Sequence, residues 1–368
     1  MRAILVAVVL AAAAATTAHA ADDPLLVAAT DLAGFVAFAE SGAPGMILVV
    51  VRGDATLVRG YGETEKGNKH APDGNSLFRL NSITKVFATE VLVSLAADRR
   101  LALTDPLQRF TDKTVPLFGT KPITLLDLAT HSAGLPRDMP GAPEDSNPRA
   151  WPTHEARWGW LPGYTLPWAP GTVASYSNIG FDLLADAIET AGRQPYPDLL
   201  RTRVTAPLGM TDTGFTPTPE QCARLMIGSG LGGPFPCSDT HATDGSGGLY
   251  STGNDMARWL RHNLNDGDGA LALSHAVYRP RQSMPAVIGF DEAGSMAGLG
   301  LGWVMLVAQG AQPAMLTKGG AGAGFMSYMA FAPGQGVGVF IEASRVDFPM
   351  FAILTDTTNK LIASLVTR

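Results

Sequence analysis

The sequence predicts an α/β plus all-α architecture, in which strands from both ends of the chain pair into one sheet around a mainly helical insertion. Three observations carry this reading. Residues 46–51 and 55–60 are apolar or alternating runs on either side of Gly53-Asp54, the pattern of a β-hairpin. Residues 302–307, 314–317, 326–332 and 337–343 read as four short strands, with breaks at Gln309-Gly310 and Pro333-Gly334. Between these ends, residues 86–98, 181–191 and 255–263 read as helices separated by loops rich in Pro and Gly. Residues 348–366 close the chain as an apolar-periodic helix able to cover one face of the sheet. The predicted boundaries are 21–80 and 280–368 for the sheet part and 81–279 for the insertion.

The first twenty residues stand apart from that fold. Arg2 supplies a short positive region, residues 4–15 are an unbroken apolar run, and Ala18-His19-Ala20 offers small residues where a signal peptidase reads. The expectation is a signal peptide cleaved after Ala20 and a periplasmic mature protein. No later stretch reads as the eighteen or so consecutive apolar residues of a spanning helix, so no transmembrane segment is expected; peripheral membrane contact stays open. The whole chain has 368 residues, 46% hydrophobic and 16% charged, with a formal net charge of −6. That is enough apolar chain for one large domain or two modest ones, and it excludes intrinsic disorder. With no basic tract to neutralise phosphates, no nucleic-acid partner is expected.

Export changes how the two cysteines read. Cys222 and Cys237 flank a Gly-rich segment, and in an oxidising compartment they are expected to form a disulfide, the alternative being two free thiols. His154-Glu155 meets Trp158 where a zinc-binding H-E-x-x-H helix needs His, and no metal or other cofactor is expected.

The chemistry is concentrated in three short segments. Ser82 and Lys85 stand three residues apart at the start of a helix that is apolar on nearly every face and therefore buried. That spacing puts both side chains on one face, so the ammonium reaches the hydroxyl. Burial and the positive potential of the helix N-terminus both lower the pKa of such a lysine. Alone, the pair is a weak signal, equally readable as a surface Ser and a solvated Lys. Tyr176 and Asn178 flank one residue on a loop leading into the next helix, placing a phenol that can relay a proton beside an amide that can bind a peptide carbonyl. Thr317-Lys318-Gly319-Gly320-Ala321 comes off a strand, and its glycines let a substrate lie against the strand edge.

In this order, Ser-x-x-Lys, Tyr-x-Asn and Lys-x-Gly resemble the active-site signature of the serine penicillin-recognising enzymes. The Tyr-Ser-Asn form is similar to the class C β-lactamase-like branch, and to its D-alanyl-D-alanine carboxypeptidase/endopeptidase subgroup in particular. The likeness extends over LLDLATHSAGLP (125–136), PGTVASYSNIGFDLLA (170–185), PLGMTDTGF (207–215), GSGGLY (245–250) and KGGAGAGFMSYMAFAP (318–333). It implies a β-lactamase/transpeptidase-like fold with the site between the sheet and the helical part. It also implies Ser82 as the nucleophile of an acyl-enzyme, and Lys85 and Tyr176 sharing the proton traffic, with the choice of base left open. Asn178 would hold the substrate amide carbonyl, Lys318 would hold Tyr176 toward phenolate and attract a terminal carboxylate, and the Ser82 and Ala321 N–H groups would form the oxyanion hole.

Gly319 departs from that pattern, since the third motif usually reads Lys-Thr-Gly and the hydroxyl helps to bind a carboxylate. Arg345, just past the last strand, is a candidate replacement anchor, readable also as a solvent-facing arginine. Trp151, Trp158, Trp160 and Trp168 could wall the cleft or pack among the helices. The leading expectation is a periplasmic, penicillin-binding serine DD-peptidase acting on peptidoglycan stem peptides. A class C-like β-lactamase, a β-lactamase-like carboxylesterase and a non-hydrolytic binder of β-lactams or wall peptides are the alternatives.

Overall fold

Six consecutive apolar residues, Met46 to Val51, cannot all face one core in a strand, because side chains alternate between faces. The computed structural model of the protein shows how both faces are used. It describes residues 23–141, 151–231, 233–265, 267, 269–290 and 293–366; the expected signal peptide lies outside these. An eight-stranded antiparallel sheet runs in the order Ala55–Gly62, Gly45–Arg52, Val337–Ala343, Phe325–Ala332, Met315–Gly322, Val304–Leu306, Met296–Leu299 and Arg279–Pro280. Met46, Leu48 and Val50 face one core, which the helices Pro24–Ser41 and Phe348–Val366 close with Leu26, Ala37, Met350, Leu354 and Ile362. Ile47, Val49 and Val51 face the other core, built with Phe87, Val91, Trp259 and Leu260 from the helices Thr84–Ala97 and Gly253–Asn263.

The predicted hairpin, the four C-terminal strands, the three internal helices and the closing helix are all present, most within three residues of their expected ends. Two differences bear on function. The strand predicted to stop at residue 317 continues from Met315 to Gly322, so Lys318 to Ala321 lie within the sheet. The Met315–Gly322 strand pairs with Val304–Leu306 through Met315, Leu316 and Thr317, and among the described residues no strand pairs with the segment from Lys318 onward on that side. The sheet also has two short strands the sequence reading missed, Arg279–Pro280 and Met296–Leu299. They are too short to show a period.

The N-terminal helix Pro24–Ser41 was not singled out by the sequence reading. With a mean hydropathy of 1.3 over 18 residues, it meets the length and composition of a membrane span, although Thr30, Asp31 and Ser41 interrupt its apolar run. Here it is docked on the protein. Asp23 caps its first turn, Asp31 pairs with Arg59 at 2.7 Å, and Leu26, Thr30, Gly34, Ala37 and Ser41 are buried.

Cys222 and Cys237 form a disulfide with Cα atoms 5.7 Å apart. Its loop packs against the turn between the Met315–Gly322 and Phe325–Ala332 strands. A Cβ on Gly228 would lie 2.7 Å from the Ala323 carbonyl oxygen, and one on Gly233 would lie 2.6 Å from Gly324 Cα. The crosslink therefore braces the end of the strand that carries Lys318.

Candidate active site

Ser82 sits in a 3-10 turn, Asn81–Ile83, that runs directly into the Thr84–Ala97 helix. Asn81 has φ +50°, a left-handed conformation that Asn adopts at less cost than most residues. Its amide secures the turn to the neighbouring hairpin, donating to the Gly322 carbonyl at 3.0 Å and the Phe325 carbonyl at 3.2 Å. Lys85, one turn on, is fully buried. Its ammonium donates to Ser82 Oγ at 3.2 Å, Asn178 Oδ1 at 2.7 Å and the Ser246 carbonyl at 2.7 Å. Burial pulls the Lys85 pKa down to about 8; Tyr176 opposes this and Lys318 adds to it.

Tyr176 approaches from the opposite wall. Its backbone is fixed by the bond from its N–H to the Ile288 carbonyl at 2.9 Å, and Lys318 Nζ donates to its hydroxyl at 3.2 Å. Lys85, Lys318 and Arg137 all lie over the Tyr176 ring, at 4.9, 4.8 and 4.8 Å from its centre. Burial alone would push the phenol up, but the charges of Lys318 and Lys85, with hydrogen bonds from Ser82 and Lys318, outweigh it and bring the pKa down to about 7. A phenol at about 7 beside an ammonium at about 8 gives a phenolate–ammonium pair near neutral pH, the two titrating as a coupled unit.

Asn178 is the first residue of the Asn178–Gly192 helix, whose cap is Ser177: its hydroxyl accepts from Gly180 N–H at 2.9 Å and donates to the Pro136 carbonyl at 2.7 Å. On the sheet side, Gly320 lies against the nucleophile turn. A Cβ there would collide with the Leu80 carbonyl oxygen and come within 2.7 Å of Ser327 Oγ and 3.3 Å of Ser82 N. Glycine lets the strand approach closely enough to set the exposed Ala321 beside Ser82. Both line a cavity of about 120 Å³ with Asn81, Asp138, Met139, Trp151, Asn178 and Asp182.

The structure thus brings together Ser82, Lys85, Tyr176, Asn178, Lys318, Gly320 and Ala321, with Gly319 in the same strand. It does not bring Arg345. The chain turns there toward the closing helix, and the Arg345 guanidinium bridges to the Gly42 carbonyl at 3.0 Å and to Asp347 at 2.7 Å. Of the four tryptophans, Trp151 lines the cavity; Trp158 donates to Asp186 at 2.7 Å, and Trp160 packs on Tyr164.

Several site residues escaped the sequence reading. His131 stacks on Tyr176 at 4.3 Å and accepts from Ser177 N–H at 3.0 Å. Burial, then the charges of Lys318, Lys85 and Arg137, keep it neutral. Asp182, buried behind Lys85, is raised to about 6 by burial, against the pull of Arg157, Ser246 and Lys85. Arg137 and Asp138 directly follow LATHSAGLP, so their proximity to a recognised segment was the available signal.

The Beta-lactamase family profile matches residues 20–363. The chain is 41% identical over 335 residues to the D-alanyl-D-alanine-carboxypeptidase/endopeptidase AmpH of Escherichia coli K12, covering 89% of this chain and 86% of that one. Protein flp of Staphylococcus aureus is 27% identical over 269 residues, 70% of this chain and 51% of that protein. Among solved structures, a β-lactamase/D-alanine carboxypeptidase from Yersinia pestis, complexed with citrate, superposes with a TM-score of 0.89. It is 41% identical, covering 94% of this chain and 99% of that one.

Proposed function

This chain belongs to the β-lactamase family, and from that premise we propose that it is a serine DD-peptidase of the periplasm. It trims the terminal D-alanine from peptidoglycan stem peptides and cuts D-alanine-linked crosslinks through an acyl-enzyme. β-Lactams occupy the same site. The observation that carries the reading is the Lys85 ammonium shared between Ser82 Oγ and Asn178 Oδ1, facing a Tyr176 hydroxyl held by Lys318.

The geometry supports Tyr176 as the base. Near neutral pH its phenolate accepts the Ser82 proton as Oγ attacks the peptide carbonyl, while Lys85 remains charged and steadies the alkoxide. The Ser82 and Ala321 N–H groups take the developing oxyanion, a contribution typically about 3 kcal/mol per donor. Tyr176 then hands the proton to the departing D-alanine nitrogen. Water attacks the acyl carbon, and its proton passes through the same phenol to regenerate Ser82. A peptide bound along the free edge from Lys318 onward presents its amide carbonyl to Asn178. Its terminal carboxylate falls to the two cations over Tyr176, Lys318 and Arg137, which compensates for the hydroxyl that Gly319 lacks.

Pentapeptide-rich muropeptides incubated with the mature protein, with products followed by mass spectrometry and Ser82→Ala as control, test this. Loss of one D-alanine or scission of crosslinked dimers, absent in Ser82→Ala, is the expected result. Intact muropeptides, from enzyme that still hydrolyses a β-lactam or a short-chain ester, would replace the peptidase with a lactamase or esterase.

A further inference from the structure

Asn178 is held at both ends of its amide. Lys85 occupies its oxygen, which turns Nδ2 outward, and Nδ2 donates to Asp138 Oδ1 at 2.7 Å. The backbone sets the register of this contact, because Asn178 N–H donates to the Arg137 carbonyl at 2.7 Å. An amide nitrogen carries two protons. Asp138 takes one, and the other remains for the substrate carbonyl that the proposed function assigns to Asn178. Asp138 therefore lies beside the residue that precedes the acyl-forming D-alanine.

The remaining chemistry at this point is uneven. The charged groups closest to the reacting atoms are cations, Lys85, Lys318 and Arg137, while Asp182 is buried in the floor. Asp138 is exposed at the cavity, and among the described residues Asn178 supplies one of the roughly four hydrogen bonds its carboxylate can accept. Trp151 lines the same cavity, and an indole face favours a cation and its methylene stem.

We propose that Asp138 is a specificity determinant that selects substrates with a free amine on the side chain preceding the acyl-forming D-alanine. The inference rests on the peptidase reading and names its substrate class: peptides with a carboxylate on the leaving side of the scissile bond and an ammonium on the acyl side. A charge-assisted hydrogen bond, partly shielded from water, discriminates against the same side chain without its charge by about tenfold.

Two synthetic peptides ending in D-Ala-D-Ala test it, identical except that the preceding residue is lysine in one and Nε-acetyl-lysine in the other. The readout is the ratio of their kcat/KM values in each enzyme, which a uniform loss of activity leaves unchanged. Wild type is expected to favour the free amine by about tenfold. Asp138→Asn, which keeps an acceptor for Asn178 and loses the charge, is expected to bring the ratio close to one. A ratio near one in wild type, or the wild-type ratio kept in Asp138→Asn, would overturn the assignment while leaving a working peptidase. Cleavage of neither peptide, by enzyme that still turns over an ester, would overturn the peptidase reading and this inference with it.

Discussion

Replacing Lys318 with Met separates the two candidate bases. Lys318 Nζ is 3.2 Å from the Tyr176 hydroxyl and is the foremost influence opposing burial in bringing that phenol from 10 to about 7. Without it, only Lys85 and the Ser82 hydrogen bond are left to oppose burial, so the phenol rises from about 7 toward 10, each pH unit regained being about 1.4 kcal/mol. At pH 7.5 a rise of about two units takes the phenolate fraction from about three-quarters to about 3%, which predicts a loss of roughly 25-fold in acylation. The assay is the rate of acylation by a fluorescent penicillin from pH 5 to 10, with a short-chain ester as a carboxylate-free check. In wild type the rate rises as pH passes about 7, where Tyr176 loses its proton, and falls as pH passes about 8, where Lys85 loses its own. In Lys318→Met the rising limb moves up from about 7 toward 10. Weakened binding of the penicillin carboxylate lowers the whole profile without moving the limb, so the two effects are separable. A mutant that keeps its inflexion near 7 with only a lower plateau would refute Tyr176 as the base.

Three other perturbations have expected outcomes. Glu342 is fully buried in the sheet beside Ser327, and burial, against the pull of that hydroxyl, pushes its pKa well above the usual range. A carboxyl raised on folding stabilises below its unfolded pKa and loses that contribution as pH rises, so Glu342→Gln should gain about 1–3 kcal/mol at pH 8 and much less at pH 5. Thermal melts at the two pH values check this, and an equal shift at both would count against it. Gly320→Ala adds a methyl where the Leu80 carbonyl and Ser327 Oγ already sit, pushing the strand off the nucleophile turn. Penicillin labelling should fall at least tenfold, about 1.4 kcal/mol in the barrier, while near-ultraviolet circular dichroism reports whether the fold persists. Cys222→Ser with Cys237→Ser removes a crosslink spanning 15 residues and should cost about 3 kcal/mol in urea unfolding under non-reducing conditions. A midpoint equal to wild type would assign the disulfide no part in stability.

Local pattern alone determined much of this protein. The run of apolar residues at 46–51 and the period of the closing helix come from side-chain geometry within one element, and such signals survive without knowledge of the fold. Ser82 with Lys85, and Tyr176 with Asn178, were legible for the same reason, since a fixed spacing on a helix or a loop places two groups together. Tertiary structure decided the rest. Lys318 and Tyr176 are 142 residues apart, and only the sheet brings them within 3.2 Å. The charges converging on Tyr176 set its pKa, and no property of the tyrosine's own neighbours in sequence predicts that sum. Arg345 and Arg137 make the point from opposite sides. The first is a candidate anchor by its position after a strand, readable also as a solvent-facing arginine, and its guanidinium is spent on Gly42 and Asp347. The second drew no notice, yet it lies over the phenol. A long side chain at the end of an element reaches several partners, and which one it meets is fixed by chain distant in sequence: Gly42 lies 303 residues from Arg345, and Tyr176 lies on a separate segment from Arg137.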